Sequence, residues 1–149
     1  MSLEKKLMDA LKTAMKAKDQ EALAALRAIK SELILAKTSG SSAELTEADE
    51  IKILQKLVKQ RKDSAAIFTE QNREDLVQPE VEQAAVIEQF LPEQMSEEDV
   101  AKIVDEIIAQ TGASTMKDMG KIMGMTNSKL VGKADGKTIS GIVKERLSN

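Results

Sequence analysis

Leucine, isoleucine, valine and alanine recur along this chain every three or four residues, the interval that gathers them on one face of a helix. Leu3, Leu7, Leu11 and Ala14/Met15 make the first stripe, with Ser2 placed to cap it. Leu23, Leu26, Ile29 and Leu33 make the second, behind Asp19 as its cap and ending near Lys37. Thr38–Ser42 has the composition of a flexible loop. Thr46-Glu-Ala-Asp49 resembles a capping box with Asp in place of Glu, and it opens a third helix carrying Ile51, Leu54, Val58, Ala65 and Phe68 on one face. Arg61 falls inside that stripe and Lys62 on its edge. Their stems are expected to cover apolar surface while their charges reach acids on the next segment; the other reading is a pair facing a ligand. Residues 73–76 read as a loop. Pro79 fits the first turn of a fourth helix, from about Pro79 to Phe90, with Val81, Ala84/Ala85 and Ile87/Glu88 inward. Leu91-Pro92 ends it, since proline disfavours helical geometry in the residue before it.

Pro92-Glu-Gln-Met95 reads as a domain boundary. Beyond it, Ser96 caps a strongly amphipathic helix (Val100, Ile103, Val104, Ile107, Ile108) that Gly112 is placed to stop. Thr115 can cap a short helix over Met116–Met125. Lys129–Gly136 reads as a glycine-punctuated loop, and Thr138–Leu147 as a last helix with Ile139, Ile142/Val143 and Leu147 inward. No segment sustains the polar–apolar alternation of a strand. The expectation is an all-α protein with a four-helix N-terminal domain over residues 1–95 and a small three-helix C-terminal domain over 96–149.

Composition narrows the chemistry. Phe68 and Phe90 are the only aromatics among 149 residues, so the core must be aliphatic with some Met. The absence of Cys excludes a disulfide framework, a thiolate metal site and thiol redox chemistry. The absence of His removes the commonest general base and metal ligand. No metal and no cofactor are expected. There is no apolar run of about 18 residues, so no membrane partner is expected, and the charged start lacks a signal-peptide core; a cytoplasmic location follows as the default.

Charge then divides the chain. Residues 116–147 hold seven Lys/Arg against three acids, a net of +4, whereas the whole chain is −3. Residues 63–106 hold thirteen acids against Arg73 and Lys102, a run that repels phosphate. The paired acids Glu97-Glu98-Asp99 suit the start of a helix better than an acid–base dyad. Gly120-x3-Gly124 lacks the GxGxxG spacing and follows no strand, so it is read as a place for close helix approach, and Met116/Met119/Met123 as core filler. Lys121, Lys129, Lys133 and Lys137 surround Gly132 and Gly136. Lysines around a glycine-rich turn let ammonium groups and backbone N–H donors approach phosphates. The same glycines could equally serve a turn needing positive φ, with Asp135 capping the last helix.

The strings Asp118-Met-Gly-Lys-Ile-Met-Gly124, Lys129-x2-Gly-Lys-Ala-Asp-Gly136-Lys and Ile142-Val-Lys-Glu-Arg-Leu147 closely resemble the YqeY family. Through it they resemble the tail of the B subunit of the glutamyl/aspartyl-tRNA amidotransferase. Leu26-Arg-Ala-Ile-Lys-Ser-Glu32, Lys59-Gln-Arg-Lys-Asp-Ser64, Arg73-Glu-Asp-Leu76 and Glu88-Gln-Phe-Leu-Pro92 agree in order, with Phe90 where the family pattern has Tyr. The resemblance implies a helical N-terminal domain and a three-helix tail that reaches transfer RNA, without an active site of its own. Carried over by position, it points to Lys121, Gly132, Lys133, Ala134, Asp135, Gly136 and Lys137. The leading expectation is a non-catalytic accessory protein binding transfer RNA or another structured RNA. The alternative is a protein–protein adaptor whose acidic helices dock on a basic partner. Direct carbon–nitrogen ligation with glutamine as nitrogen donor, the activity of the associated enzyme, finds no supporting residues.

Overall fold

A computed structural model describes residues 2–39 and 44–148. It contains seven α-helices and one turn of 3₁₀ helix, and no strand among the described residues. The protein is all-α. The helices are α1 (Leu3–Ala17), α2 (Gln20–Thr38), α3 (Glu47–Glu70), α4 (Glu74–Glu88), α5 (Glu97–Thr111), α6 (Met119–Lys129) and α7 (Gly136–Ser148), with the 3₁₀ turn at Met116–Asp118. The loop expected over Thr38–Ser42 lies largely outside the described residues, and Thr38 itself ends α2.

Helix starts follow the caps read from the sequence. Ser2, Asp19 and Ser96 each accept the backbone N–H three residues on. At α3 the box is reciprocal: Asp49 N–H donates to the Thr46 hydroxyl at 3.2 Å, and Thr46 N–H donates to the Asp49 carboxylate at 3.1 Å. Two helix ends carried no glycine signal. Lys18 (φ 54°) and Asn72 (φ 59°) adopt the left-handed conformation that closes α1 and α3. Each is followed by a residue whose N–H reaches back to the preceding helix, Asp19 to Ala14 at 3.0 Å and Arg73 to Phe68 at 2.8 Å.

The fourth helix differs from expectation. Residues 74–76 are helical, so Pro79 lies inside α4 rather than in its first turn. A close α3–α4 hairpin and the Arg73 guanidinium, which grips Asp75 at 3.0 and 2.9 Å, hold the extra turn in place. That grip lowers the Asp75 carboxyl below its ordinary value. Val81 and Ala85, expected inward, are exposed, whereas Ala84 and Ile87 are buried.

Contacts divide the chain into two compact units, Met1–Leu91 and Pro92–Asn149. In the first, α2 touches α1, α3 and α4, and the core gathers Leu7, Leu26, Ile29, Leu54, Leu57 and Ile87. Lys62 reaches Glu88 on α4 at 2.7 Å, as expected for the edge of its stripe. Among the described residues Arg61 does not reach an acid: it donates to the Leu57 carbonyl at 3.4 Å, and its buried Nε finds no partner there. In the second unit α5, α6 and α7 pack on one another around Val100, Val104, Ile122, Ile139 and Val143. Residues 92–95 lie in this second unit by their contacts.

Charge follows a different line from the one the sequence suggested. The second unit holds eight Lys/Arg against nine acids, because acidic α5 packs with the basic α6 and α7. In the first, residues 3–38 sum to +3 and residues 44–91 to −5.

Candidate nucleic-acid interface

The six residues joining α6 to α7 alternate between core and solvent. Leu130, Gly132 and Ala134 are buried; Val131, Lys133 and Asp135 are exposed. Gly132 takes φ 76°, a conformation that an L side chain resists, and this explains the glycine. Gly136 is different: it begins α7 without a positive φ, and a Cβ there would meet nothing within 4 Å.

This turn is held from several directions. Leu130 N–H donates to Thr126 at 2.9 Å, and Lys133 N–H donates to Leu130 at 2.9 Å. Met95 N–H donates to the Lys133 carbonyl at 2.8 Å, and the Gln94 amide donates to the Gly132 carbonyl at 2.7 Å. Lys133 therefore has both backbone polar groups occupied while its ammonium stands in solvent. Sequence reading missed Gln94 and Met95 as braces, having taken them as a boundary; nothing local in Pro92–Met95 signals the long-range partner.

Asp135 caps α7, accepting the Thr138 N–H at 2.6 Å, so its carboxylate is engaged within the turn. The N–H groups of Gly136 and Lys137 keep no partner among the described residues, as expected for the first turn of a helix. Lys137 sits in that same turn, exposed. A cation there opposes the helix dipole, typically at a cost of about 0.3–1 kcal/mol. Lys133 and Lys137 carry no ion pair among the described residues, and Lys137 shares the first turn of α7 with the two N–H groups.

The other two candidate lysines lie apart. Lys121 is exposed in the first turn of α6 and Lys129 ends the same helix, about 12 Å away along its axis. Lys129 lies 4.0 Å from Glu106 on α5, and it suits the negative end of its helix. Arg146 likewise reaches Asp105 at 3.1 Å. Lys133 thus lies in the turn and Lys137 in the first turn of α7, while Lys121 and Lys129 stand at opposite ends of α6. The α-helix begins three residues later than expected, after the 3₁₀ turn, and ends four residues later, with Thr126 buried and its hydroxyl on the Ile122 carbonyl at 2.8 Å.

The glycine pair on α6 does not serve close helix approach within this chain. Gly120 and Gly124 are exposed, and a Cβ at either would meet nothing within 4 Å. Met119 and Met123 pack on the core, but Met116 is 43% exposed. Among the described residues no cluster of three or more acids could hold a metal, and no helix is long and apolar enough to cross a membrane.

A family model described as "Yqey-like protein" matches residues 4–147. Among curated proteins, the E subunit of the glutamyl-tRNA(Gln) amidotransferase of Thermococcus gammatolerans is 38% identical over 84 residues. That alignment covers 54% of this chain and 13% of the relative's own length.

Proposed function

The chain belongs to the Yqey-like protein family, and from that premise we propose that it is a non-catalytic accessory protein that binds structured RNA, most plainly transfer RNA. The observation that carries this reading is the braced turn between α6 and α7. It carries Lys133, and α7's first turn carries Lys137 at a helix end where a cation lowers stability; among the described residues neither lysine has an ion pair and the N–H groups of Gly136 and Lys137 have no partner. Backbone N–H donors and ammonium groups in a fixed frame suit the phosphate oxygens of a folded RNA. The relative supports the choice of RNA, since its name is that of an enzyme acting on glutamyl-tRNA(Gln).

Lys121 and Lys129 extend the contact along α6 as outlying phosphate partners. Gly132 sets the turn and Gly136 leaves α7's first N–H groups uncrowded. Both aromatic residues lie in the first unit, so the second has no stacking platform and reads shape and charge rather than bases. Binding then falls steeply with salt. A slope of about −0.9 per phosphate contact gives about −3.6 when four lysines engage and about −1.8 when two do.

Titration of transfer RNA into the full chain at two salt concentrations tests this. Binding in dilute buffer that weakens with salt, and weakens further in the Lys133→Glu/Lys137→Glu variant, is the expected result. No binding at low salt, or a variant that binds as well as the parent, overturns it.

A further inference from the structure

A second surface lies in the first unit, on the outer side of the α1–α2 hairpin. Helix α1 packs chiefly on α2, which leaves one flank of each helix uncovered. Between them runs a groove of about 220 Å³ lined by Leu7, Met8 and Leu11 of α1 and by Lys30, Leu33 and Ile34 of α2, closed at one end by the Lys37–Glu4 ion pair. Met8 is 58% exposed and Ile34 52%. Neither the RNA reading nor the core accounts for them.

We propose that this groove docks an acidic amphipathic helix of a partner protein. Its volume is below the roughly 300–1,000 Å³ of small-molecule pockets, which suits a few apolar side chains of a helix rather than a metabolite. Its floor is aliphatic with a methionine at its rim, a surface that adapts to apolar knobs spaced three and four residues apart. Charge selects the partner's sign. Residues 3–38 sum to +3, against −5 for residues 44–91. By helical position Arg27 and Lys30 stand on the same flank of α2 as Ile34, and Lys12 follows Met8 by one turn of α1. Arg27, Lys30 and Lys12 carry no ion pair among the described residues. A helix with glutamates beside its apolar stripe meets those cations, and one with lysines there is repelled. RNA fits the cations but leaves the aliphatic floor unmatched.

The test uses the full chain, isotope-labelled for NMR, and two synthetic peptides sharing one leucine stripe (i, i+3, i+4, i+7), one flanked by glutamates and the other by lysines. The expected result is saturable binding of the acidic peptide, with shifts confined to α1 and α2. The lysine peptide should bind about tenfold more weakly or worse, in line with two or three exposed ion pairs. Met8→Glu with Ile34→Glu should abolish binding without changing the thermal midpoint, both sites being exposed. Equal binding of the two peptides overturns the proposal. So do shifts outside the hairpin, transfer RNA displacing the acidic peptide from these residues, or self-association of the chain that the double variant removes.

Discussion

The backbone N–H of Met95 donates to the carbonyl of Lys133 at 2.8 Å, and the neighbouring Gln94 amide donates to Gly132 at 2.7 Å. A segment with no helix of its own thereby holds the backbone of the turn that carries the lysine at the candidate interface. Gly132 makes the bend possible, and at φ 76° a side chain is strained whatever space surrounds it. Gly132→Ala should destabilise the chain by about 1–2 kcal/mol and weaken transfer RNA binding as well. Gln94→Ala should cost less stability, since Met95 still holds the turn, yet lower RNA affinity measurably. Urea unfolding and RNA titration on the same preparations separate the two effects. Unchanged RNA affinity in both variants would show that the frame of Lys133 is immaterial to binding.

Glycine substitutions elsewhere should change stability in opposite directions. Gly120 and Gly124 lie within α6, exposed, with open space where a Cβ would go. Alanine at either should stabilise by about 0.5–1 kcal/mol, by restricting the unfolded chain and favouring helix. Gly112 ends α5 at φ 70°, also in open space, and there alanine should destabilise by about 1 kcal/mol. Urea midpoints for the three single variants decide it. A drop for Gly120→Ala or Gly124→Ala would mean that the α6 glycines have a conformational role the helix does not display.

Much of the fold was legible because its signals are local. Ser2, Asp19, Thr46 and Ser96 cap the helices they precede, and the aliphatic stripes of α2 and α5 face the cores they were read to face. Misreadings arose where tertiary contact outweighs propensity. Pro79 implied a helix start, but packing on α3 and the Arg73–Asp75 pair carry α4 a turn and a half further back. Lys18 and Asn72 close their helices without glycine, so composition could not reveal them. At the site, glycine and lysine spacing located the turn, whereas the division of the four lysines needed coordinates. Lys129 faces Glu106, and no spacing along one helix reveals an acid on another.

Acid should weaken the first unit partly through the α3 cap. The Thr46 backbone N–H and hydroxyl both donate to the Asp49 carboxylate and hold it below its ordinary value. With the folded value depressed, the unfolded chain takes up the proton first as pH falls. The cap's stabilisation is therefore complete above the ordinary carboxylate value and is lost as pH falls through the folded one. Asp75 behaves alike, through Arg73. Asp49→Ala should accordingly be less stable than the parent at neutral pH, and the gap should close on acidification. Urea midpoints at pH 7 and at progressively lower pH measure it. A gap constant across that range would mean that the carboxylate's charge contributes nothing.

Pro79 offers the sharpest test of how α4 is held. As the sixth residue of the helix it has no N–H to give the Asp75 carbonyl, and its ring crowds that same carbonyl. Arg73 gripping Asp75 at 3.0 and 2.9 Å compensates by fixing the first turn from its side chains. Pro79→Ala restores a donor and removes the crowding, so it should stabilise the chain by up to about 3 kcal/mol. The urea midpoint should rise with little change in slope, because the surface exposed on unfolding is nearly the same. Adding Arg73→Ala tests the compensation: it should cost less in the Pro79→Ala background than in the parent, where the first turn depends on the ion pair. Equal costs in the two backgrounds would mean that the pair and the proline act independently, and that α3 alone carries the early turn of α4.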